Sequence, residues 1–207
     1  MNPVLFVVAG PNGAGKTTVT ERLRADHWSE GVEYLNPDDI ARDRFGDWNS
    51  PEAVLRAAAW TEHRREELLA AGQSLAFETV LSRPDKIDFV RRAIAQGYFV
   101  RLFFVGTSSP TINAARVAQR VMAGGHTVPI EKIVSRYAGS MANLPVLAAM
   151  AQRLYVYDNS IDGEEARLFA RVADGTVRKV YADTLPAWIE DALTGLPRHP
   201  DAAARAR

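Results

Sequence analysis

Cysteine is absent from the 207-residue chain, which excludes disulfides and thiolate metal sites and fits a reducing compartment. Histidine is scarce, and His126 has no histidine or cysteine partner at metal-ligand spacing, so a zinc site is rejected. No sign of charge prevails, with 25 basic and 25 acidic residues. The overall composition therefore gives no pull toward nucleic acid. Trp28, Trp48, Trp60 and Trp188 form no stacking platform and read as packing residues. No apolar run approaches the 18 or so residues of a membrane span. The N-terminus reads as a strand rather than a cleavable leader, so a cytoplasmic protein without a membrane partner is expected. Internal repeats and low-complexity linkers are also missing.

What is present suits one folded domain. Apolar residues make up 47% of the chain, enough for a sizeable core. Residues 1–195 are expected to form a single domain, and residues 196–207, which lack a core pattern, a frayed tail. Strand and helix patterns alternate, which argues for an α/β fold with a parallel sheet. Strands are expected at 4–9, 32–35, 74–77, 98–105 and 154–157. Helices are expected at 18–24, after Asp39 through Arg44, and at 51–72, 84–96, 111–122, 129–150 and 186–193, with a kink at Pro145. Asp174-Gly175, flanked by apolar runs, signals a hairpin near the C-terminus.

The most informative segment is Gly10-Pro11-Asn12-Gly13-Ala14-Gly15-Lys16-Thr17, a complete G-x-x-x-x-G-K-[ST] phosphate-binding loop. Its glycines let the backbone turn its N–H groups toward phosphate oxygens. Lys16 can reach the outer phosphates, and the Thr17 hydroxyl can sit on Mg²⁺. The following helix, with Thr18 in its first turn, offers its positive end to the same anion. The buried-strand pattern of Val4 to Ala9 and the amphipathic stretch after the loop supply the required flanks.

In open parallel sheets ligands bind beyond the carboxyl ends of the strands. The polar residues there are Asp38 and Asp39, Glu78 and Thr79, Thr107 to Ser109, and Asp158 to Ser160. Asp38 or Asp39 could orient an acceptor hydroxyl in phosphoryl transfer, or simply cap the next helix. Glu78 could hold a metal-bound water or a substrate hydroxyl, or be an ordinary solvated charge. Arg116 and Arg120, four apart on one helical face, lead through Gly124-Gly125 to His126 and on to Arg136. Residues 111–137 thus read as a basic lid over phosphates, the alternative being a solvated basic face with a glycine hinge. Residues 61–67 read as a solvated helix face.

With these positions in view, the chain resembles the zeta-toxin family of P-loop kinases, in particular its compact bacterial members. The resemblance spans residues 5–159. It rests on the loop, on Asn36-Pro37-Asp38, on Phe77-Glu78-Thr79, and on Gly124-Gly125-His126-Thr127-Val128-Pro129. It implies a P-loop NTPase fold: a three-layer α/β/α sandwich with a five-stranded, mainly parallel sheet and a C-terminal β-hairpin. It implies ATP and Mg²⁺ as cofactors, Asp38 as catalytic base, and Glu78 with Thr79 and Arg136 at the acceptor. Lys16, Arg116, Arg120, His126 and Asn159 then attend the nucleotide. His126 stands where larger family members carry a second lid arginine. The family's larger toxins phosphorylate UDP-N-acetylglucosamine and are held by a small antitoxin, which makes a nucleotide sugar the expected acceptor and an antitoxin an expected partner. The alternatives are a non-toxic metabolite or nucleotide kinase and a nucleotide-gated binding module with weak ATPase activity.

Overall fold

The computed structural model describes residues 2–27, 30–46, 50–122 and 128–202. The chain runs β1 (Val4–Ala9), α1 (Lys16–Ala25), β2 (Glu33–Leu35), α2 (Pro37–Phe45), α3 (Pro51–Ala70), β3 (Leu75–Thr79) and α4 (Pro84–Ala95). It continues through β4 (Phe99–Gly106), α5 (Pro110–Met122), α6 (Ile130–Met150), β5 (Arg153–Asp158), β6 (Arg167–Ala173), β7 (Thr176–Val180) and α7 (Ala187–Leu193). No helix among the described residues is long and apolar enough to cross a membrane.

All strands join one seven-stranded sheet in the order β2-β3-β1-β4-β5-β6-β7. The first five in that order are parallel, and β6 and β7 add antiparallel to the β5 edge. The expected five-stranded count is corrected here: the hairpin extends the sheet instead of standing beside it, because β5 would otherwise be an unpaired edge. The hairpin turn itself matches expectation, since Asp174 and Gly175 both take positive φ (49° and 69°), as a two-residue primed turn requires.

The two faces of the sheet are covered unequally. On one face, α3, α4, α6 and α7 bury Leu68, Leu69, Phe89, Leu144, Leu147 and Ile189 against Leu5, Val7, Phe77 and Leu102. Phe77 is 1% exposed, a position where truncation to alanine costs about 3–5 kcal/mol. On the other face, α1 is the only helix among the described residues that supplies buried apolar side chains, through Val19 and Leu23. Among the described residues, the buried helical part of that second cluster thus comes from α1.

Helix starts follow the sequence closely. Asn36 caps α2 through a hydrogen bond from Asp38 N–H, and Ser50 caps α3 through one from Ala53 N–H, each ahead of a proline in the first turn. The buried stripe of α3 is Ala53, Ala57, Thr61, Arg65, Leu68 and Leu69, spaced as one helical face. The reading of residues 61–67 as solvated is thereby corrected. Thr61 and Arg65 fall on the stripe, at 0% and 6% exposure, although Glu62, His63 and Glu67 are exposed.

The tail is not frayed from its start. Val177 N–H donates to Pro197 O, and His199 N–H donates to Val177 O, so residues 197–199 pair along β7. A short 3-10 turn, Pro200–Ala202, then buries Ala202. This segment covers the free edge of β7, which gives it a physical reason to be ordered. The last part of the expected tail lies outside the described residues.

Candidate active site

β1 ends at Ala9, whose register partners are Thr79 on β3 and Phe104 on β4. The chain leaves β1 at a switch point of the sheet, where a crevice opens beyond the strand ends. Gly10 makes the exit possible. Its φ is +145°, and a Cβ there would stand 2.0 Å from the Val105 carbonyl oxygen, so no other residue fits. The loop then rises to Gly15, and α1 begins at Lys16 with no side-chain cap. The first N–H groups of α1 are thus left for an anion.

Side chains from distant elements brace this loop. Buried Asn113 donates to Asn12 O at 2.6 Å and accepts from the Thr107 hydroxyl. Asn159 donates to Ala14 O at 2.9 Å, and its own Oδ1 is buried with no hydrogen-bond partner. Arg136 reaches Asn12 Oδ1 at 3.3 Å. Lys16 Nζ is folded back on its loop, donating to Gly10 O at 3.0 Å and Pro11 O at 3.1 Å. Burial lowers the Lys16 pKa from 10.5 to about 8, against the opposing pull of Glu78.

A cavity of about 470 Å³ lies over the loop and brings together Asn12, Gly13, Gly15, Lys16, Thr17, Asp38, Glu78, Thr79, Arg116 and Arg120. Gly10, Pro11 and Ala14 are buried beneath it. Thr18 is exposed and does not line it. The two neighbouring aspartates separate cleanly. Asp38, in the first turn of α2, lines the cavity, whereas Asp39 accepts from Arg42 and faces another depression.

Glu78 is not a solvated strand-end charge. Its Oε1 accepts from the Thr20 hydroxyl at 2.6 Å and the Tyr34 hydroxyl at 3.1 Å. Thr79 Oγ1 accepts from Leu81 N–H, and Thr79 O accepts from Gly10 N–H. Arg116 is anchored on backbone, donating to Asn159 O at 2.7 Å and Ile161 O at 3.1 Å. Arg120 is exposed along the same cavity. His126 lies outside the described residues. Asp158, another strand-end candidate, is fully engaged: Ser160 N–H, the Ser160 hydroxyl and Trp188 Nε1 all donate to it.

A second cavity of about 450 Å³ shares Pro37, Glu78, Thr79 and Val80 with the first. Arg65, Lys86 and Arg136 are among its lining. The Arg65 guanidinium lies 5.0 Å from the Phe77 ring and 3.9 Å from Glu62. Burial pulls its pKa down, with Glu62 opposing. Thr20, Tyr34, Arg65 and Asn113 are contributors that reading the sequence did not single out. Thr20 lies three residues beyond Thr17 on the same helical face, a signal that was present. Tyr34 and Asn113 carry no local signal.

This is a phosphate-binding loop at the switch point of a P-loop kinase fold. The chain belongs to the zeta toxin family, whose model matches residues 1–172. A Haemophilus influenzae protein of uncharacterized function is 27% identical over 146 residues, covering 66% of this chain and 93% of that protein. A chain of the AvrRxo1-ORF1:AvrRxo1-ORF2 complex, crystallised with sulphate ions, superposes with a TM-score of 0.66 at 20% identity. That match covers 93% of this chain, which spans 64% of the length of its counterpart. A chain from the PezAT chromosomal toxin–antitoxin system of Streptococcus pneumoniae gives a TM-score of 0.59 at 18% identity, covering 80% and 71% of the two chains. At these identities the two structural likenesses are likenesses of fold.

Proposed function

We propose that this protein is an ATP- and Mg²⁺-dependent kinase that transfers the γ-phosphoryl group to a hydroxyl of a small molecule. One observation carries the reading: Lys16, Thr17, Asp38, Glu78 and Arg120 line a single cavity over the phosphate loop. Phosphoryl transfer needs little more than this positioning and charge neutralisation. The loop N–H groups and Lys16 hold the phosphates, after Lys16 exchanges its two loop carbonyls for phosphate oxygens. Arg120 neutralises charge on the moving phosphoryl group, with Arg116 as a fixed post behind it. Asp38 takes the proton of the acceptor hydroxyl as its oxygen bonds phosphorus, and ADP leaves. The second cavity, reached past Glu78 and Thr79, receives the body of the acceptor beside Arg136.

The donor set suits the implied cofactors. The Thr17 hydroxyl, on the wall of the cavity, is a hard oxygen ligand of the kind that supplements phosphates and water around Mg²⁺. When bound, Mg²⁺ supplies further neutralisation of phosphate charge. The orphaned Asn159 Oδ1 beside the loop is an acceptor suited to a donor on the nucleotide. A related AvrRxo1 complex was crystallised with ATP, in keeping with this choice.

A nucleotide sugar such as UDP-N-acetylglucosamine is the proposed acceptor, and a small antitoxin the proposed partner, as in the toxin–antitoxin system named for PezAT. The direct test is transfer from γ-labelled ATP to UDP-N-acetylglucosamine and other hydroxyl-bearing metabolites, wild type beside Asp38→Asn. A labelled product lost in the variant is expected. Equal slow phosphate release by both proteins, with no labelled product, would overturn the role of Asp38. Induced expression separates toxin from housekeeping kinase, since an unimpaired host argues against toxicity.

A further inference from the structure

Tyr34 is the middle residue of β2, and Asn36 caps α2 directly after it. Neither belongs to the phosphate loop, yet together they join the two carboxylates of the site. The Tyr34 hydroxyl donates to Glu78 Oε1 at 3.1 Å and accepts from Asn36 Nδ2 at 3.4 Å. Asn36 spends its other amide atom, Oδ1, on the Asp38 N–H at 3.0 Å. Thr20, one turn into α1, donates to the same Glu78 oxygen at 2.6 Å. Both donors fall on Oε1, so Oε2 has no hydrogen bond among the described residues. It belongs to a carboxylate that lines both cavities.

We propose that Tyr34 is a positioning residue for the transfer: it holds Glu78 with one oxygen kept for the acceptor hydroxyl and, through Asn36, fixes that carboxylate relative to Asp38. The proposal rests on the kinase reading above. Its physical basis is the cost of misplacement. A glutamate side chain has three torsions to lose, and an error of about 1 Å at a reacting group costs on the order of 100-fold in rate. Two hydrogen bonds on one oxygen remove most of that freedom before the acceptor arrives. Tyr34 suits the task because burial, and then the neighbouring Glu78 charge, raise its hydroxyl pKa, so it remains a donor. Arg24 lies over its ring at 4.9 Å, which helps hold the ring in place.

Steady-state transfer from ATP to UDP-N-acetylglucosamine and a panel of hydroxyl-bearing metabolites tests this with three variants. Tyr34→Phe keeps the ring and removes the hydroxyl. It is expected to lower kcat/KM for the acceptor roughly tenfold, with KM for ATP unchanged. Asn36→Asp keeps the helix cap but removes the donor to Tyr34, and is expected to move the same constants in the same direction, by less. In a Glu78→Gln background, Tyr34→Phe is expected to have almost no further effect, because it acts through Glu78. A merely structural tyrosine would give losses that multiply, or would change both substrates alike. Wild-type acceptor kinetics in Tyr34→Phe, or full multiplication with Glu78→Gln, overturns the positioning role while leaving the kinase reading intact. A wild-type protein that transfers to none of the probes overturns the kinase reading, and the positioning role with it. If Tyr34→Phe fails to fold, Asn36→Asp alone decides between the same outcomes.

Discussion

The side-chain amide of Asn159 and the carbonyl of Ala14 are 2.9 Å apart, across 145 residues of chain. The bond ties the segment after β5 to the roof of the phosphate loop. It holds the loop open in the shape an anion needs, so that binding does not have to order it. Asn159→Ala is expected to weaken nucleotide binding about fivefold, the worth of about 1 kcal/mol, with little change in melting temperature. Calorimetric titration with ATP checks this.

Lys16 makes nucleotide binding depend on pH. Its pKa in the folded protein lies near 8, below the usual 10.5, because burial disfavours the charged form. The ammonium that attracts phosphate is therefore fully present below that value and lost as pH rises through it. A bound phosphate favours the charged form, so binding takes up a proton above about pH 8. Affinity is expected to fall there by up to tenfold per pH unit. Lys16→Met should bind weakly with no such slope. The same depressed pKa makes the unfolded state bind more protons between about pH 8 and 10.5, so the free protein gains stability as pH rises across that window.

Arg65 separates packing from recognition. It is 6% exposed, with Glu62 at 3.9 Å and the charges of Asp85 and Glu66 also acting on it. Replacing a buried charge of this kind by an apolar residue of similar volume is often neutral or stabilising. Arg65→Met is expected to keep or raise the melting temperature while raising KM for an anionic acceptor several-fold, with ATP binding unchanged. Thermal melts and transfer kinetics on the same preparation distinguish the two effects.

Gly10→Ala is expected to be the most damaging glycine-to-alanine change among the described residues. The added carbon would overlap the Val105 carbonyl oxygen at 2.0 Å, on a backbone with φ +145°. Either β1 and β4 part or the loop moves, and nucleotide binding is lost in both cases. Circular dichroism with a binding assay reads both outcomes, and Gly46→Ala, which also has a positive φ (+73°) but meets nothing within 4 Å, controls for backbone strain without the clash.

Residues whose partners lie close in sequence were legible, and residues whose partners lie far away were not. The phosphate loop, the strand before it and the Asp174-Gly175 turn are local patterns with one dominant structural outcome. Asp38 and Glu78 stand out because strand ends are where parallel sheets bind ligands, and both line the cavity. Preferring Asp38 to Asp39 needed the family resemblance, and the cavity now separates them by geometry. Thr20, Tyr34 and Asn113 matter only through contacts spanning 58, 44 and 101 residues, which no window of sequence displays. Arg65 reads as solvated because its neighbours are charged; only counting by fours from Ala53 puts it inside. The hairpin was visible, but the edge it would join was not, since pairing to β5 is a property of the assembled sheet.

The unequal covering of the sheet ties thermal behaviour to ligand state. One face is fastened by α3, α4, α6 and α7, the other by α1, and α1 starts inside the phosphate loop. A phosphate seated on its first turn clamps the thin side of the molecule at the point where it is secured least. Fraying should therefore begin at α1 in the empty protein and move elsewhere once the loop is filled. Protease resistance or amide exchange of residues 16–25 becomes a gauge of occupancy, usable for screening ligands before any acceptor has been identified.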